Sequence, residues 1–317
     1  MSYNALQDEW YSAYRALLFS LAYRMLGSVM DAEDIVQDAF VSLHAADPEA
    51  IRHPKAFLCK TVTNRCLDLL RSARRRREVY TGPWLPEPIV SGIGGDAGSD
   101  PMERYLQQET MSTAYVLLLQ QLSASERAVY LLREALQYDY GDIADIVGKS
   151  AANCRQIYVR AKRSMQLAGA EREEPADGGA SCAADGKLGR IVSQFTAALA
   201  SGDMPKVLAL LAEGAVLYSD GGGKVKAALR PIKGADRISA FLFGILAKLP
   251  EGYSFAPATV NGEAGVIAYQ HGTVMQVVSF RQQDGRIDAV YLVSNPDKLG
   301  HLAADRPQSG GLNSEPD

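Results

Sequence analysis

A stretch rich in glycine and proline interrupts the chain between residues 81 and 101. Nine of these 21 residues are Gly or Pro, a density that neither a helix nor a central strand tolerates. A second such stretch, from 171 to 186, combines glycines with charged residues. The 317 residues therefore divide into three folding units joined by linkers, in keeping with a prior of about 150 residues per domain. With 47% hydrophobic residues, the chain can form ordinary cores.

The first two units show helical periodicity. Apolar residues recur at helical spacing from Tyr11 to Ala46 and again from Lys55 to Arg75. We expect Asp31 to cap the second of the three helices that this pattern predicts. A further helical block spans residues 103 to 168, so both units are expected to be all-helical.

The charge is distributed unevenly along the chain. The formal net charge is −4, but residues 1–51 hold two basic and eight acidic side chains, whereas residues 52–77 hold nine basic side chains and one acidic. A positive field of that density attracts phosphate. Residues 173–317 hold 13 basic and 16 acidic side chains. The negative total therefore does not exclude nucleic acid, and we expect the last third to serve another purpose.

The second unit ends in a pattern typical of a helix-turn-helix. In it, Ser123 and Glu126 have the spacing of a capping box. A compact helix from Asp142 to Val147 is followed by Gly148-Lys149-Ser150 and a second helix from Ala151 to Met165. Because the second helix of such a unit enters the major groove, its early polar residues suit base edges and its later arginines suit phosphates. A solvated helix in a helical bundle is the alternative.

The last third changes periodicity after residue 186. Helical stretches at 188–200, 205–211 and 235–249 precede alternating segments at 265–270, 274–281 and 287–293. Asp284-Gly285 lies between the last two segments and predicts a hairpin turn. We therefore expect an α+β domain with a curved antiparallel sheet, followed by a disordered tail from 301 to 317.

The chain offers no metal or cofactor signature. The four cysteines, Cys59, Cys66, Cys154 and Cys182, form no CxxC pair and have no histidine at ligand spacing. We expect them to be buried residues in a reducing compartment. The polar, acidic start and the lack of an apolar run of about 18 residues indicate no membrane span and a cytoplasmic protein.

Three strings make the first two units resemble the extracytoplasmic-function sigma factors of bacterial RNA polymerase. They are DAEDIVQDAF at 31–40, PKAFLCKTVTNRCLDLLR at 54–71 and GDIADIVGKSAANCRQIYVRAKR at 141–163. The resemblance implies sigma region two at 1–80, a linker at 81–103 and sigma region four at 104–170. After a second linker at 171–186, residues 187–300 resemble the cone-shaped SnoaL-like domain, which shares the fold of nuclear transport factor two, and which a subgroup of these sigma factors carries at the C-terminus.

The resemblance also implies partners and site residues. The acidic face of the second helix would bind the β′ clamp helices of core RNA polymerase, with a further contact to the β flap; the residues are Asp31, Asp34, Gln37 and Asp38. The third helix would hold the minus-10 element through Lys60, Asn64, Arg65, Arg71, Arg74 and Arg75, with Asn64 at the position that contacts an unstacked base. The minus-35 element would be read by Ser150, Asn153, Arg155, Gln156, Arg160 and Arg163.

Three further motifs match the subgroup with the fused domain: WLPEP at 84–88, DGGGK at 220–224 and NPDKL at 295–299. We expect the fused domain to regulate the sigma regions through a contact formed by Trp84, Leu85, Pro86, Asp220, Gly221, Gly222, Gly223, Lys224, Asn295, Pro296 and Asp297. Alternatively, Lys224, Lys226 and the glycines could cradle a small anionic ligand, which the domain would sense. We expect no enzyme activity, although relatives of this fold use an aspartate base, and Asp220, Tyr218, Tyr269 and His271 are polar residues on the expected pocket strands.

Overall fold

The computed structural model describes residues 3–46, 51, 53–77, 80–91, 111–167 and 186–303. Two features expected from the sequence lie outside the described residues. They are residues 171–185 of the second linker, which include Cys182, and the tail from 304 to 317. In the parts of the chain that are described, no helix has both the length and the apolar character needed to span a membrane.

Three helices form the first unit: α1 (Tyr3–Leu26), α2 (Val29–Ala45) and α3 (Pro54–Arg77). Ser28 caps α2, and its hydroxyl accepts a hydrogen bond from the Asp31 amide. The expected cap at Asp31 is therefore wrong, because the serine that precedes Val29 already provides the acceptor and Asp31 lies within the first turn.

Four helices lie in the part of the second unit that the structure describes: α4 (Thr113–Gln121), α5 (Ala124–Glu134), α6 (Tyr140–Val147) and α7 (Ala151–Leu167). The capping box of Ser123 and Glu126 at the start of α5 is confirmed. Gly148 ends α6 in the left-handed conformation, with φ of 66°, which an L-residue with a side chain rarely adopts. The turn between α6 and α7 therefore has the glycine that the helix-turn-helix pattern predicts.

The two helical units share one hydrophobic core. Buried residues of α1, α2 and α3 lie in the same cluster as residues of α4, α5 and α7, including Leu119, Leu131 and Met165. The helix-turn-helix adds a smaller core around Ile143, Cys154 and Ile157. The two units therefore pack as one body, and not as two modules on a loose tether.

The last unit is an α+β domain built on one seven-stranded sheet. Its helices are α8 (Lys187–Ala200), α9 (Met204–Leu210), α10 (Ala235–Leu246) and α11 (Pro296–Leu299), and a 3₁₀ helix spans Gly300–Ala303. The strands are β1 (Val90–Ser91), β2 (Leu211–Asp220), β3 (Ile232–Lys233), β4 (Tyr253–Val260), β5 (Glu263–Gln270), β6 (Thr273–Gln283) and β7 (Arg286–Val293). Their order is β1-β4-β5-β6-β7-β2-β3, in which β2 and β7 are parallel and every other pair is antiparallel.

The two faces of this sheet bury different partners. One face packs on α8, α9 and α10. Leu217 and Phe280 of the sheet lie there in the same cluster as Phe195 of α8. The other face packs on Leu85 of the first linker and on Ala114 of α4. Because side chains alternate along a strand, Val290 points to the helices and Tyr291 to the linker. The fused domain therefore uses its second face to cover the sigma-like part of the chain.

The structure refines two sequence expectations here. The predicted turn at Asp284-Gly285 is confirmed, because both residues have positive φ, 52° and 79°, between β6 and β7. Residues 301–303 were expected in a disordered tail. They continue the domain instead, with Leu302 buried in the sheet cluster and His301 Nε2 lying 2.9 Å from the Pro88 carbonyl oxygen.

Candidate functional site

The predicted polymerase-binding residues share the exposed face of α2. Asp31, Asp34, Gln37 and Asp38 are all exposed, whereas Ile35 and Val36 between them are buried. Two large apolar side chains on the same helix, Met30 and Val41, are 48% and 65% exposed. An acidic face with exposed apolar residues beside it is a suitable docking surface for a basic partner.

An ion pair joins this face to the predicted minus-10 helix. Arg65 Nη1 lies 2.6 Å from Asp38 Oδ2, and Arg65 Nη2 donates to the Ser42 hydroxyl at 3.1 Å. Both charged side chains are well exposed, at 40% and 59%. Exposed pairs of this kind contribute about 0–1 kcal/mol, so polymerase or DNA can displace either partner at small cost.

Other residues predicted for the minus-10 element differ in their exposure. Lys60 is exposed, Asn64 is half-buried, and Arg71 is exposed with Asp68 Oδ1 2.9 Å away. Arg74 and Arg75 lie in the last turns of α3, and their side chains are outside the described residues.

The opposite side of α3 faces the helix-turn-helix unit. Cys59 is fully buried there and lies against Tyr138, and burial raises the pKa of both groups. The helix predicted to hold the minus-10 element is therefore packed against the other unit.

The predicted minus-35 residues form one exposed face of α7. Ser150, Asn153, Arg155, Gln156, Arg160 and Arg163 are all exposed, while Cys154, Ile157 and Ala161 on the other side are buried. Tyr140, at the start of α6, lies beneath two guanidinium groups, those of Arg133 at 5.0 Å and Arg155 at 5.1 Å from the ring centroid. Such cation–π contacts hold Arg155 beside the reading face of the helix.

A buried ion pair lies where the first linker crosses the fused domain. Asp220 is fully buried, and Lys298 Nζ lies 2.7 Å from its Oδ2. The same carboxylate accepts hydrogen bonds from the Tyr80 hydroxyl at 2.5 Å, the Leu85 amide at 2.8 Å and the Gly222 amide at 3.0 Å. Four donors therefore surround one carboxylate, as a buried charge requires.

Lys298, the cation of this ion pair, also contacts the linker directly. Its ammonium donates to the Leu85 carbonyl and lies 4.3 Å from the Trp84 ring centroid and 5.0 Å from that of Tyr80. Burial and the Asp220 charge raise the pKa of Tyr80, so its hydroxyl stays protonated and donates. Two of the predicted motifs and the linker therefore meet at one charged cluster, in which Lys298 is a central residue that the sequence reasoning did not single out.

The DGGGK loop turns its backbone inward. The amides of Gly222, Lys224 and Val225 donate to Asp220 or to the Gly221 carbonyl. Lys224 Nζ lies 2.6 Å from Asp297 Oδ1 of the NPDKL motif. These groups serve the fold of the loop, which leaves the anion-cradle interpretation with little support from this arrangement.

The remaining motif residues surround the same loop. A Cβ on Gly222 would overlap Asn295, whose side chain donates to the Tyr80 hydroxyl at 3.0 Å. Gly223 approaches Thr81, and Pro296 begins α11. Leu85 and Pro86 are buried, and Trp84 is half-buried. The structure thus brings the predicted interdomain residues together around the linker.

Asn261 and Glu87 are interdomain residues that the sequence reasoning missed. Asn261, in the turn after β4, donates to the Tyr23 hydroxyl at 2.7 Å and to the Met111 carbonyl at 3.0 Å. Its backbone amide donates to the Ile89 carbonyl at 2.7 Å. The local sequence signal for this residue is the pair Asn261-Gly262, which is typical of a tight turn. In the structure Asn261 has a positive φ of 54°, a conformation that asparagine tolerates.

The polar residues of the enzyme alternative lie apart from the interior of the domain. Tyr218 and Tyr269 belong to the cluster beneath the linker, not to the one against α8 and α10. Asp220 lies two residues from Tyr218 and faces the same linker. His271 is exposed in the turn between β5 and β6. These positions place Tyr218, Asp220 and Tyr269 on the linker side of the sheet and His271 in an exposed turn.

Comparison with known proteins finds two family models that match parts of the helical portion of the chain. Residues 10–76 match the family model for sigma-70 region 2, and residues 112–165 match that for sigma-70 region 4. The ECF RNA polymerase sigma factor SigJ of Mycobacterium tuberculosis is 34% identical over 300 residues, which cover 91% of this chain and 92% of SigJ. The ferric citrate uptake sigma factor FecI of Escherichia coli is 29% identical over 155 residues, covering 49% of this chain and 85% of FecI. The crystal structure of M. tuberculosis SigJ superposes with a TM-score of 0.72 at 28% identity, covering 92% of this chain and 97% of that one.

Proposed function

The chain belongs to the extracytoplasmic-function sigma factors of RNA polymerase, and we propose that it directs core polymerase to its promoters only after its fused domain releases a closed arrangement. The proposal assigns polymerase binding to the acidic face of α2, minus-10 binding to α3 and minus-35 reading to α7. It keeps the boundaries expected from the sequence for the two sigma regions and assigns regulation to residues 187–303, which include the 3₁₀ helix at Gly300–Ala303.

The observation that carries the proposal is the packing of α3 against the helix-turn-helix. The two promoter elements lie about 25 base pairs apart, and at 3.4 Å per base pair this is roughly 85 Å along the duplex. Helices α3 and α6 are in direct contact, and Cys59 of α3 also lies against Tyr138, just before α6. The helical units must therefore separate before both elements can be bound at once.

The fused domain is in a position to oppose that separation. Its sheet contacts both units, through Asn261 to Tyr23 of α1 and through Ser279 to Thr113 of α4. Region four in turn holds α1, since the Arg127 guanidinium donates to the Met25 carbonyl. Buried polar contacts of this kind are costly to break one at a time, because each leaves an unsatisfied group of about 1–3 kcal/mol. Release of the domain as a unit, followed by separation of the two regions, avoids that cost.

A reversible cross-link tests the closed arrangement. The Thr113 and Ser279 hydroxyl oxygens lie 2.8 Å apart, so cysteines at both positions would bring two sulfurs near the bonding distance of about 2.05 Å. Run-off transcription with core polymerase should fall on oxidation of the Thr113→Cys/Ser279→Cys protein and return with reductant.

The single variants Thr113→Cys and Ser279→Cys are the matched controls and should not respond to oxidant. Full transcription by the cross-linked protein would contradict the closed-state proposal. Cys59, Cys66 and Cys154 are buried in the described residues and should not interfere.

For the C-terminal domain we propose a structural and regulatory role for Asp220, in place of catalysis. A general base needs a free lone pair within reach of its substrate, whereas the Asp220 carboxylate here accepts from four protein donors. A turnover by the full chain that Asp220→Asn abolishes would overturn this assignment. A ligand-dependent rise in melting temperature would favour the sensing alternative.

A further inference from the structure

The first turn of α2 is capped in part by the linker. An α-helix leaves the amides of its first turn without intrahelical partners. In α2, the Asp31 amide donates to the Ser28 hydroxyl, and the Ala32 amide makes the first intrahelical hydrogen bond, to the Ser28 carbonyl. The amides of Val29 and Met30 both donate to Oε2 of Glu87, at 2.7 and 3.2 Å. This one oxygen belongs to a residue 58 and 57 positions away along the chain.

Glu87 is held in this place by its own backbone. Its amide donates to the Gly27 carbonyl at 2.9 Å, and its carbonyl accepts from the Tyr23 hydroxyl at 2.7 Å. Trp84 packs on the same junction of α1 and α2, where a Cβ on Gly27 would lie only 2.6 Å from the indole ring. Glu87 is 9% exposed, so its carboxylate is placed at the positive end of the α2 dipole largely out of water.

The linker segment 84–88 has two sides with different partners. Glu87 contacts region two, and Trp84 lies between Gly27 of region two and Lys298 of the fused domain. Leu85 and Pro88 contact the fused domain through Asp220, Lys298 and His301. The segment can therefore remain on region two when the fused domain leaves, because the contacts of Glu87 do not depend on Asp220 or Lys298.

We propose that Glu87 is a positioning residue for polymerase binding, which orders the first turn of α2 and with it Asp31, the first carboxylate of the polymerase-binding face. The inference rests on the proposed function of α2. Without Glu87, the buried amide of Val29 and the part-buried amide of Met30 would lose their protein acceptor, and the turn would fray in the free protein. Polymerase would then bind only the ordered fraction, and its apparent affinity would fall in proportion.

The test is the Kd of the full chain for core polymerase without DNA, measured by fluorescence anisotropy. We expect Glu87→Ala to raise the Kd by roughly tenfold, since a partly buried helix-terminal carboxylate and two orphaned amides are involved. Glu87→Gln keeps an acceptor oxygen without its charge and should give a smaller rise. Hydrogen exchange at the amides of Val29 to Ala32 should quicken in the same order.

Asp203→Ala is the matched control. Asp203 caps α9 of the fused domain by accepting from the Lys206 amide at 3.1 Å, so its loss also removes a helix-terminal carboxylate. It should leave polymerase affinity unchanged. An equal loss of affinity in Asp203→Ala and Glu87→Ala would mean a general loss of structure and would overturn the inference.

Leu85→Ala separates this inference from the proposed function. It weakens the other side of the linker and should raise run-off transcription by opening the closed form, while the α2 face, which is already exposed, keeps its affinity for polymerase. If Glu87→Ala improves polymerase binding or leaves it unchanged, Glu87 is only a closure contact or plays no part, and the inference fails while the closed-state proposal stands. If Leu85→Ala does not raise transcription but Glu87→Ala weakens polymerase binding, the closed-state proposal fails and the role of Glu87 stands.

Discussion

The substitution Leu85→Ala should release the fused domain and activate transcription. Leu85 is fully buried, in the cluster that includes Val260, Ile267 and Tyr291 of the sheet. A Leu→Ala change at such a site costs about 2–5 kcal/mol, from lost transfer free energy and from the cavity left behind. In the open form the side chain is in water, so the change costs little there. The cost therefore acts almost wholly on the closed form.

That difference sets the size of the expected effect. Because about 1.4 kcal/mol is a factor of ten, the equilibrium constant for opening should rise by roughly 30-fold to several thousand-fold. The hydrogen bonds of the Leu85 backbone to Asp220 and Lys298 are retained in the alanine variant. We therefore expect the rise in the equilibrium constant for opening to lie near the lower end of this range.

Two measurements on the full chain check this prediction. Run-off transcription at limiting sigma concentration should rise, and hydrogen exchange should quicken where β1 pairs with β4, at Val90 and Val260. Phe255→Ala is the control, because it removes a larger side chain that is already 51% exposed on β4. Wild-type transcription together with wild-type exchange would refute the reasoning. A rise in transcription without faster exchange would show that the variant acts by a route other than opening.

Three further outcomes follow from the same contacts. Arg155→Ala should relax sequence preference at the upstream element, whereas Arg160→Ala should weaken all promoters alike and reduce the slope of log K against log salt by about one; unchanged promoter choice in Arg155→Ala would mean that α7 does not read bases. Asn261→Ala should raise transcription, because Tyr23 and Met111 lose their buried donor in the closed form, and hydrogen exchange across β1 and β4 should quicken with it. Burial raises the pKa of Cys66 and Tyr23 above their ordinary values of 9.0 and 10.0. The unfolded chain therefore loses these two protons at a lower pH than the folded chain does. As a result, the free energy of unfolding should fall as pH rises from about 9. Urea midpoints would check the last prediction, and Tyr23→Phe should reduce the fall above pH 10.

The sequence predicted those elements whose signals are local. The helix-turn-helix needed only a helical period and a glycine at 148, and the hairpin needed only Asp284-Gly285. Strand β4 was missed because Pro257 interrupts its pattern. The structure tolerates Pro257 because, among the described residues, β1 pairs with Thr259 and Val260 and none of them pairs with Pro257 on that edge of β4.

Strand β2 was missed for a different reason. Its partner along the parallel pair is β7, about 75 residues away, and the register shifts between Leu211 and Val216. Such a strand is stabilised by its neighbours more than by its own alternation.

The site divides in the same way. The sequence by itself predicted which residues could meet DNA or polymerase, because charge and helical spacing place most of the described ones on exposed faces of α2, α3 and α7. The tertiary structure alone decided that α3 lies against the helix-turn-helix and that one linker joins both sides of the closed form. The contacts between these units join residues as distant in sequence as Tyr23 and Asn261, which are 238 positions apart. Hydrogen bonds of that range depend on how whole units pack, and packing is a property of the assembled surfaces that no local pattern of residues contains.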